Sequence, residues 1–235
     1  MRHIHLLAAT GALAILFSIA LAAETRPAVP ATAPSTGEAL PRPDPGLLEA
    51  IRAKDLEHVR RVLDRGAKVN TVGYTPLSLA VTCRQEEIVL LLLHRGANPN
   101  SRDNCGATAI ALAAYLGDTN VAKLLLDAGA NVDLEMALEC AAGQGNADCV
   151  RLLVKSKANL DARGFSGRTA LHEAAMRGHA DVVQILLHAG ADTTIADDNG
   201  RTAAALAKGR GYPVTANMIE LHNTTATRPS PANNR

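Results

Sequence analysis

Through the middle of the chain, short apolar clusters alternate with polar runs at a regular spacing. Between Gly164 and Asp192, Ala170, Leu171, Ala174 and Ala175 form a short apolar stripe. Gly178 interrupts it, and Val182, Val183, Leu186 and Leu187 form a second one. Each stripe has the i, i+1, i+4, i+5 spacing of one helix face, so the pattern predicts two short amphipathic helices joined by a tight turn and paired antiparallel. The stretch Asn104–Asn131 shows the same order of apolar, glycine and polar positions.

The boundaries of these helices can also be read. A threonine precedes the first helix at 75, 108, 169 and 202, where its hydroxyl can cap the helix, and Pro76 suits the first turn. Gly117, Gly145, Gly178 and Gly211 offer the left-handed conformation that stops a helix, and Gly66, Gly96, Gly129 and Gly190 stand at the end of the second helix. Polar Ala-Asn/Asp-x-Asn/Asp runs then predict a projecting hairpin. A unit of this kind leaves one apolar side uncovered, so its stability comes from stacking on neighbours.

The four threonines are 33, 61 and 33 residues apart, and the longer interval holds a shortened copy with Ala137-Leu138 in the place of Ala170-Leu171. With Thr75-Pro76-Leu77 and Thr169-Ala170-Leu171-His172, this period resembles the ankyrin repeat over about residues 46–222. The resemblance implies an all-α repeat solenoid of about six units including both caps, with first helices starting near 47, 75, 108, 136, 169 and 202. The stretch Leu47–Gly66 is polar enough for one cap, while Lys208 at a normally apolar position and a short helix from Pro213 to about His222 make the other. The first and third hairpins are shortened, and Lys157 replaces glycine at the end of the fourth unit, so the middle of the array is expected to be its weakest point unless a tight loop absorbs the deletion.

Outside the repeats the composition shifts. Arg2, His3 and His5 precede an uncharged stretch from Leu6 to Leu21 that ends in Ala20-Leu21-Ala22, which predicts a cleaved signal peptide over residues 1–22. An uncleaved anchor is the alternative, but the apolar core is shorter than the roughly 20 residues a spanning helix needs. Residues 23–45 are rich in Pro and Ala and read as a disordered linker; 223–235 read as a disordered tail. The expected product is therefore periplasmic or secreted, not inserted in a membrane.

Composition narrows the chemistry. With 47% hydrophobic but only 2% aromatic residues, the core is aliphatic, and a net charge of +1 argues against nucleic acid as a partner. His172-Glu173 lacks a second histidine one turn later, because Met176 stands there, so the pair is no zinc motif. Gly143-Gln-Gly145 lacks the third glycine of a dinucleotide loop, and Gly164-Phe-Ser166-Gly167 is one residue short of a nucleophile elbow. No catalytic residue, cofactor or metal is expected. Cys83 and Cys105 are too far apart in the repeat to bridge and leave a weak thiol-redox alternative; Cys140 and Cys149 either form a disulfide or fill aliphatic positions as free thiols.

What remains is recognition. The resemblance implies protein binding through hairpin tips and the exposed side of the first helices, a concave face, by a monomer. Tyr74, Tyr115 and Phe165 map to those positions, with Arg102, Asp103, Asn104, Arg163, Arg168, Met176, Arg177 and Arg201 around them. The expected function is a scaffold that binds a partner protein non-covalently, in support of a stress-defence enzyme; the alternative is an inhibitor or immunity-type protein.

Overall fold

A computed structural model describes residues 41–73 and 75–226, with the side chains of 224–226 left aside. The segment expected to be a signal peptide, residues 23–40 of the expected linker, Tyr74 and residues 227–235 lie outside the described residues. Among those described there are twelve α-helices, one 3-10 turn and two isolated β-bridges, with no strand. No helix there is long and apolar enough to cross a membrane. Contacts divide the chain into two compact units, residues 1–137 and 138–235.

The first unit contains α1 (Pro45–Arg52), α2 (Leu56–Asp64), α3 (Pro76–Thr82), α4 (Glu86–His94), α5 (Ala109–Leu116), α6 (Thr119–Asp127) and the start of α7 (Leu134–Gln144). The helices pair as α1 with α2, α3 with α4 and α5 with α6, while α1 packs on α3 and α3 on α5. Local chemistry sets their ends. Asp44, Asp55 and Asp118 accept hydrogen bonds from amides of the first turn, and Thr75 Oγ1 accepts from Ser78 N at 3.0 Å ahead of Pro76. Thr108 does not cap α5, and its buried hydroxyl has no partner. In α5 every residue from Ala109 to Ala114 is buried, which suits a helix apolar all round and small enough in its side chains for close approach.

The second unit contains the rest of α7, then α8 (Ala147–Lys155), a 3-10 turn (Phe165–Gly167), α9 (Ala170–Arg177), α10 (Ala180–His188), α11 (Ala203–Gly209) and α12 (Pro213–Ala226). Here α9 pairs with α10 and α11 with α12, while α9 packs on α11 and α8 on α10. The last helix takes in Asn223–Ala226, four residues that the sequence reading gave to the tail. Leu153, Leu171 and Leu186 are fully buried, each contributing about 1.5–3 kcal/mol by leaving water.

The turn between paired helices is left-handed at Gly117, Gly145 and Gly178, with φ of 72°, 75° and 76°. In the first two repeats the same place is held by Lys54 and Arg84, at φ 59° and 55°, which the glycine pattern did not reveal. Arg84 is anchored there by donating to Leu116 O at 2.8 Å, the end of the next first helix. Lys157 is left-handed as well, at φ 62°. The deletion in the third hairpin is absorbed locally: Asp133 turns at φ 62° and α7 starts three residues before Ala137. Cys140 and Cys149 are buried and form no disulfide, so they take the aliphatic-filling alternative.

Candidate functional site

Hairpin tips and first helices carry the residues singled out for recognition, and in the first unit the second hairpin presents three of them, Arg102, Asp103 and Asn104, with Tyr115 on the helix that follows. Its frame is the bridge Arg102–Thr108 with Asp103 N donating to Ala107 O at 2.9 Å. Asp103 does not offer its carboxylate outward as the sequence suggested. It is 6% exposed, and Oδ1 accepts from Cys105 N at 2.8 Å and Ala107 N at 2.9 Å, the inward pull a tight turn exerts on an aspartate that satisfies its amides. Arg102 is exposed but tied to Gly106 O and to Asp133. Asn104 is exposed over Gly73, where a Cβ would meet its Oδ1 at 2.6 Å. Tyr115 is half-buried near the end of α5. Tyr74 lies outside the described residues.

In the second unit the fourth hairpin is built differently. Gly164 stands where Asp103 and Asp197 stand in their hairpins, so no carboxylate holds the turn; Gly167 is left-handed at φ 68° like Gly106 and Gly200 in those hairpins, and Ser166 before it is left-handed as well, at φ 59°. Gly164 N donates to Arg168 O at 2.7 Å and closes the loop. Phe165 sits on this turn at 47% exposure, the most exposed aromatic of the described residues. Arg163 reaches the following hairpin, donating to Ala196 O at 2.8 Å and pairing with Asp198 at 3.1 Å.

The cations singled out in the second unit are not loose surface charges. Arg168 and Arg177 both pair with Glu173, at 3.3 and 3.4 Å, and the Glu173 side chain is only 4% exposed. Arg201 binds the buried Asp197 at 2.8 Å. Burial opposes the charge on Asp197, but hydrogen bonds from the Arg201 side chain and from the Arg201 and Asn199 amides outweigh it and hold the carboxyl at about 2. Met176 is half-buried, with an Arg210 guanidinium nitrogen 3.9 Å from its sulfur. These ion pairs fix the cationic side chains in place, which lowers the entropy lost on binding.

His172 ties the start of its own helix to the next hairpin. Its Nδ1 accepts from Thr169 N at 3.2 Å and lies 2.9 Å from Thr169 Oγ1, while Nε2 lies 3.2 Å from Arg201 O. One tautomer satisfies all three contacts, with the proton on Nε2 donated to the hairpin carbonyl. Burial lowers the His172 pKa because the imidazolium form would lose its solvent, against the opposing pull of the Arg201 carbonyl and Asp197.

Two functional candidates escaped the sequence reading, Glu139 and Glu173. Counted from the threonine register, Glu173 occupies the place of Leu79, Leu112 and Leu206, and Glu139 the place of His172. Glu139 Oε2 would lie 2.0 Å from a Cβ at Gly164, and an Arg177 guanidinium nitrogen 2.0 Å from one at Gly143, so both glycines make room for charged heads. Burial, and then the neighbouring Glu173, push the Glu139 carboxyl up to about 7 against the pull of Arg168 and Arg177. The signal available in sequence was the coincidence of Gly164 at an aspartate place with a glutamate at a histidine place.

Burial pushes the Cys83 and Cys140 thiols up, away from the thiolate form that attacks or binds metal. No group of three or more His, Cys, Asp or Glu among the described residues is placed to hold a metal ion. The arrangement is suited to contact: an exposed ring, a half-buried thioether and cations fixed by their own carboxylates.

Comparison with known proteins gives a consistent picture. The family described as ankyrin repeats (3 copies) matches residues 36–103, 110–197 and 138–221. The chain is 37% identical over 112 residues to the nuclear factor NF-kappa-B p105 subunit of Gallus gallus, covering 44% of this chain and 11% of that protein. It is 36% identical over 105 residues to an ankyrin repeat-containing protein of Treponema pallidum, covering 43% of this chain and 35% of the other. It thus spans about a third or less of these curated relatives. A solved ankyrin repeat protein superposes with a TM-score of 0.68 at 33% identity, covering 75% of this chain and 96% of that one.

Proposed function

Because the chain belongs to the ankyrin repeat family, whose repeats mediate protein–protein interaction, we propose that it is an exported scaffold that binds a partner protein non-covalently through hairpin tips and first-helix faces. The observation that carries this reading is Phe165. A chain with 2% aromatic residues and an aliphatic core has one ring 47% exposed on a hairpin turn, where its own repeat gives it little to pack on. Large rings on preorganised surfaces are the residues that become binding hot spots, worth about 2 kcal/mol or more each.

Around Phe165, Met176 and Arg168, Arg177 and Arg201 complete the contact surface of the second unit; Arg102, Asn104 and Tyr115 supply that of the first, with Tyr74 added from its place in the repeat. Export rests on the charged start, apolar core and Ala20-Leu21-Ala22 ending of the N-terminal segment. The scaffold acts as a monomer in the periplasm or outside the cell.

The test is to express the full chain with a C-terminal tag, measure the intact mass of the exported product and crosslink it in the periplasm. The reading expects a mass beginning at Ala23 and a crosslinked protein lost on Phe165→Ala but kept in Lys123→Ala and Gln184→Ala. Retention of Met1–Ala22, or equal crosslinking by all three variants, contradicts it. An assay of the captured protein with and without the scaffold then shows whether its activity is supported or blocked.

A further inference from the structure

Two first helices of the second unit meet their following hairpins with different side chains at the same repeat position. On α9 the residue is His172, whose Nε2 proton is donated to Arg201 O, 3.2 Å away, while that carbonyl also accepts Asp197 N at 2.8 Å. On α7 the residue is Glu139, and the hairpin it faces is Gly164–Arg168, in which Arg168 O accepts Gly164 N at 2.7 Å. The carboxylate lies against Gly164, at the spot a Cβ would fill.

An imidazole with its proton on Nε2 is a permanent donor to a hairpin carbonyl. A carboxyl group in the same place is a donor only while protonated, and an ionised one brings a second negative charge beside the buried Glu173. The charged groups around it are Glu173 and Arg177 on α9 and Arg168 at the hairpin end; Cys140 is its neighbour on α7, and Arg163 and Asp198 farther along the hairpin are paired with each other. Arg168 and Arg177 are both engaged by Glu173. Gly164 brings no carboxylate of its own to hold the turn, unlike Asp103 and Asp197 in the other two complete hairpins.

We propose that Glu139 is a proton-operated latch for the hairpin that carries Phe165: the protonated carboxyl holds the Gly164–Arg168 turn against α7, and ionisation releases it. Position 139 thus converts a fixed contact of the repeat into a pH-dependent one. Its burial places the transition near neutrality, at about 7. The consequence for recognition, tighter partner binding below the transition than above it, rests on the reading of Phe165 as a partner contact. The latch itself does not.

The experiment is amide exchange on the full chain at pH 6 and pH 8, expressed as protection factors so that intrinsic exchange chemistry cancels. The Gly164 and Gly167 amides should lose protection about tenfold at pH 8, while Asp197 and Gly200, in the hairpin held by His172, keep theirs. Glu139→Gln, whose amide is a donor at every pH, should hold both hairpins equally at both pH values. Equal protection of Gly164 and Gly167 at pH 6 and 8, or a fall that persists in Glu139→Gln, overturns the latch. So does a carbon-13 titration of the Glu139 carboxyl with its midpoint at the ordinary glutamate value. None of these readings uses a partner, so they can fail while Phe165 still proves to be a binding residue, and the reverse.

Discussion

Of the five non-glycine residues with left-handed backbone among the described ones, Lys54, Arg84 and Lys157 stand at the ends of helices, at φ 59°, 55° and 62°. Such a conformation costs a residue with a Cβ about 1 kcal/mol. At Arg84 the bond to Leu116 O offsets that cost; at Lys157 the side chain is exposed and no hydrogen bond of it is seen. Lys157→Gly should therefore raise stability by up to about 1 kcal/mol in chemical denaturation, and Arg84→Gly should gain less or lose. Equal gains at both sites would mean that the Arg84 contact contributes nothing. Lys157 was legible as an exception because its neighbours carry glycine. Lys54 and Arg84 were not, since a left-handed lysine or arginine leaves no mark in hydrophobic periodicity. Asp103 misled for a related reason: an aspartate at a hairpin tip reads as exposed charge, whereas the turn draws it inward to satisfy two amides.

At the scale of the element, the helices were legible and the hairpins only partly so. Helix starts expected near 75, 108, 169 and 202 are met at Pro76, Ala109, Ala170 and Ala203, because apolar spacing and a preceding threonine state the same boundary twice. Hairpins depend on single polar residues instead. Asp197 accepts from Asn199 N at 2.9 Å, Arg201 N at 2.9 Å and the Arg201 side chain at 2.8 Å. Asp197→Ala should cost about 2 kcal/mol or more, since each bond contributes about 1 kcal/mol and the turn amides are left without an acceptor. Its folded carboxyl is depressed from 3.8 to about 2, so its contribution is present above 3.8 and is lost as pH falls through about 2. Acid unfolding should accordingly lose one carboxylate step in the variant; an unchanged acid limb would show that the bonds do not stabilise the hairpin. Glu139 has the opposite sign. Its folded value is raised from 4.5 to about 7, so its stabilising effect is present below 4.5 and is lost as pH rises through 7.

For the whole molecule, the repeat period fixed the fold class, and the structural neighbour at a TM-score of 0.68 agrees with it. The contact boundary between compact units falls at Ala137 and Leu138, inside the shortened fourth repeat where Lys157 also sits. In a repeat array, stability is a sum of unit and nearest-neighbour terms, so a shortened hairpin should show as early local opening. Amides between Val132 and Lys157 should exchange faster than those of α9 and α10 in the full chain, and uniform protection would show that the three added residues of α7 fully compensate the deletion. The site was less legible than the fold. Phe165 could be placed from the register alone, but the commitment of Arg168 and Arg177 to Glu173 depends on a carboxylate at a leucine position, which the apolar stripe conceals.

The central claim is that Phe165 is exposed for binding, not for packing. The most direct measurement is the affinity of the full chain and Phe165→Ala for the crosslinked partner, once purified, alongside their thermal unfolding. The account predicts binding weaker by about tenfold or more, the equivalent of about 1.4 kcal/mol, with the unfolding temperature nearly unchanged. A variant that unfolds early yet binds with full affinity while folded would contradict it, because the ring would then belong to the core.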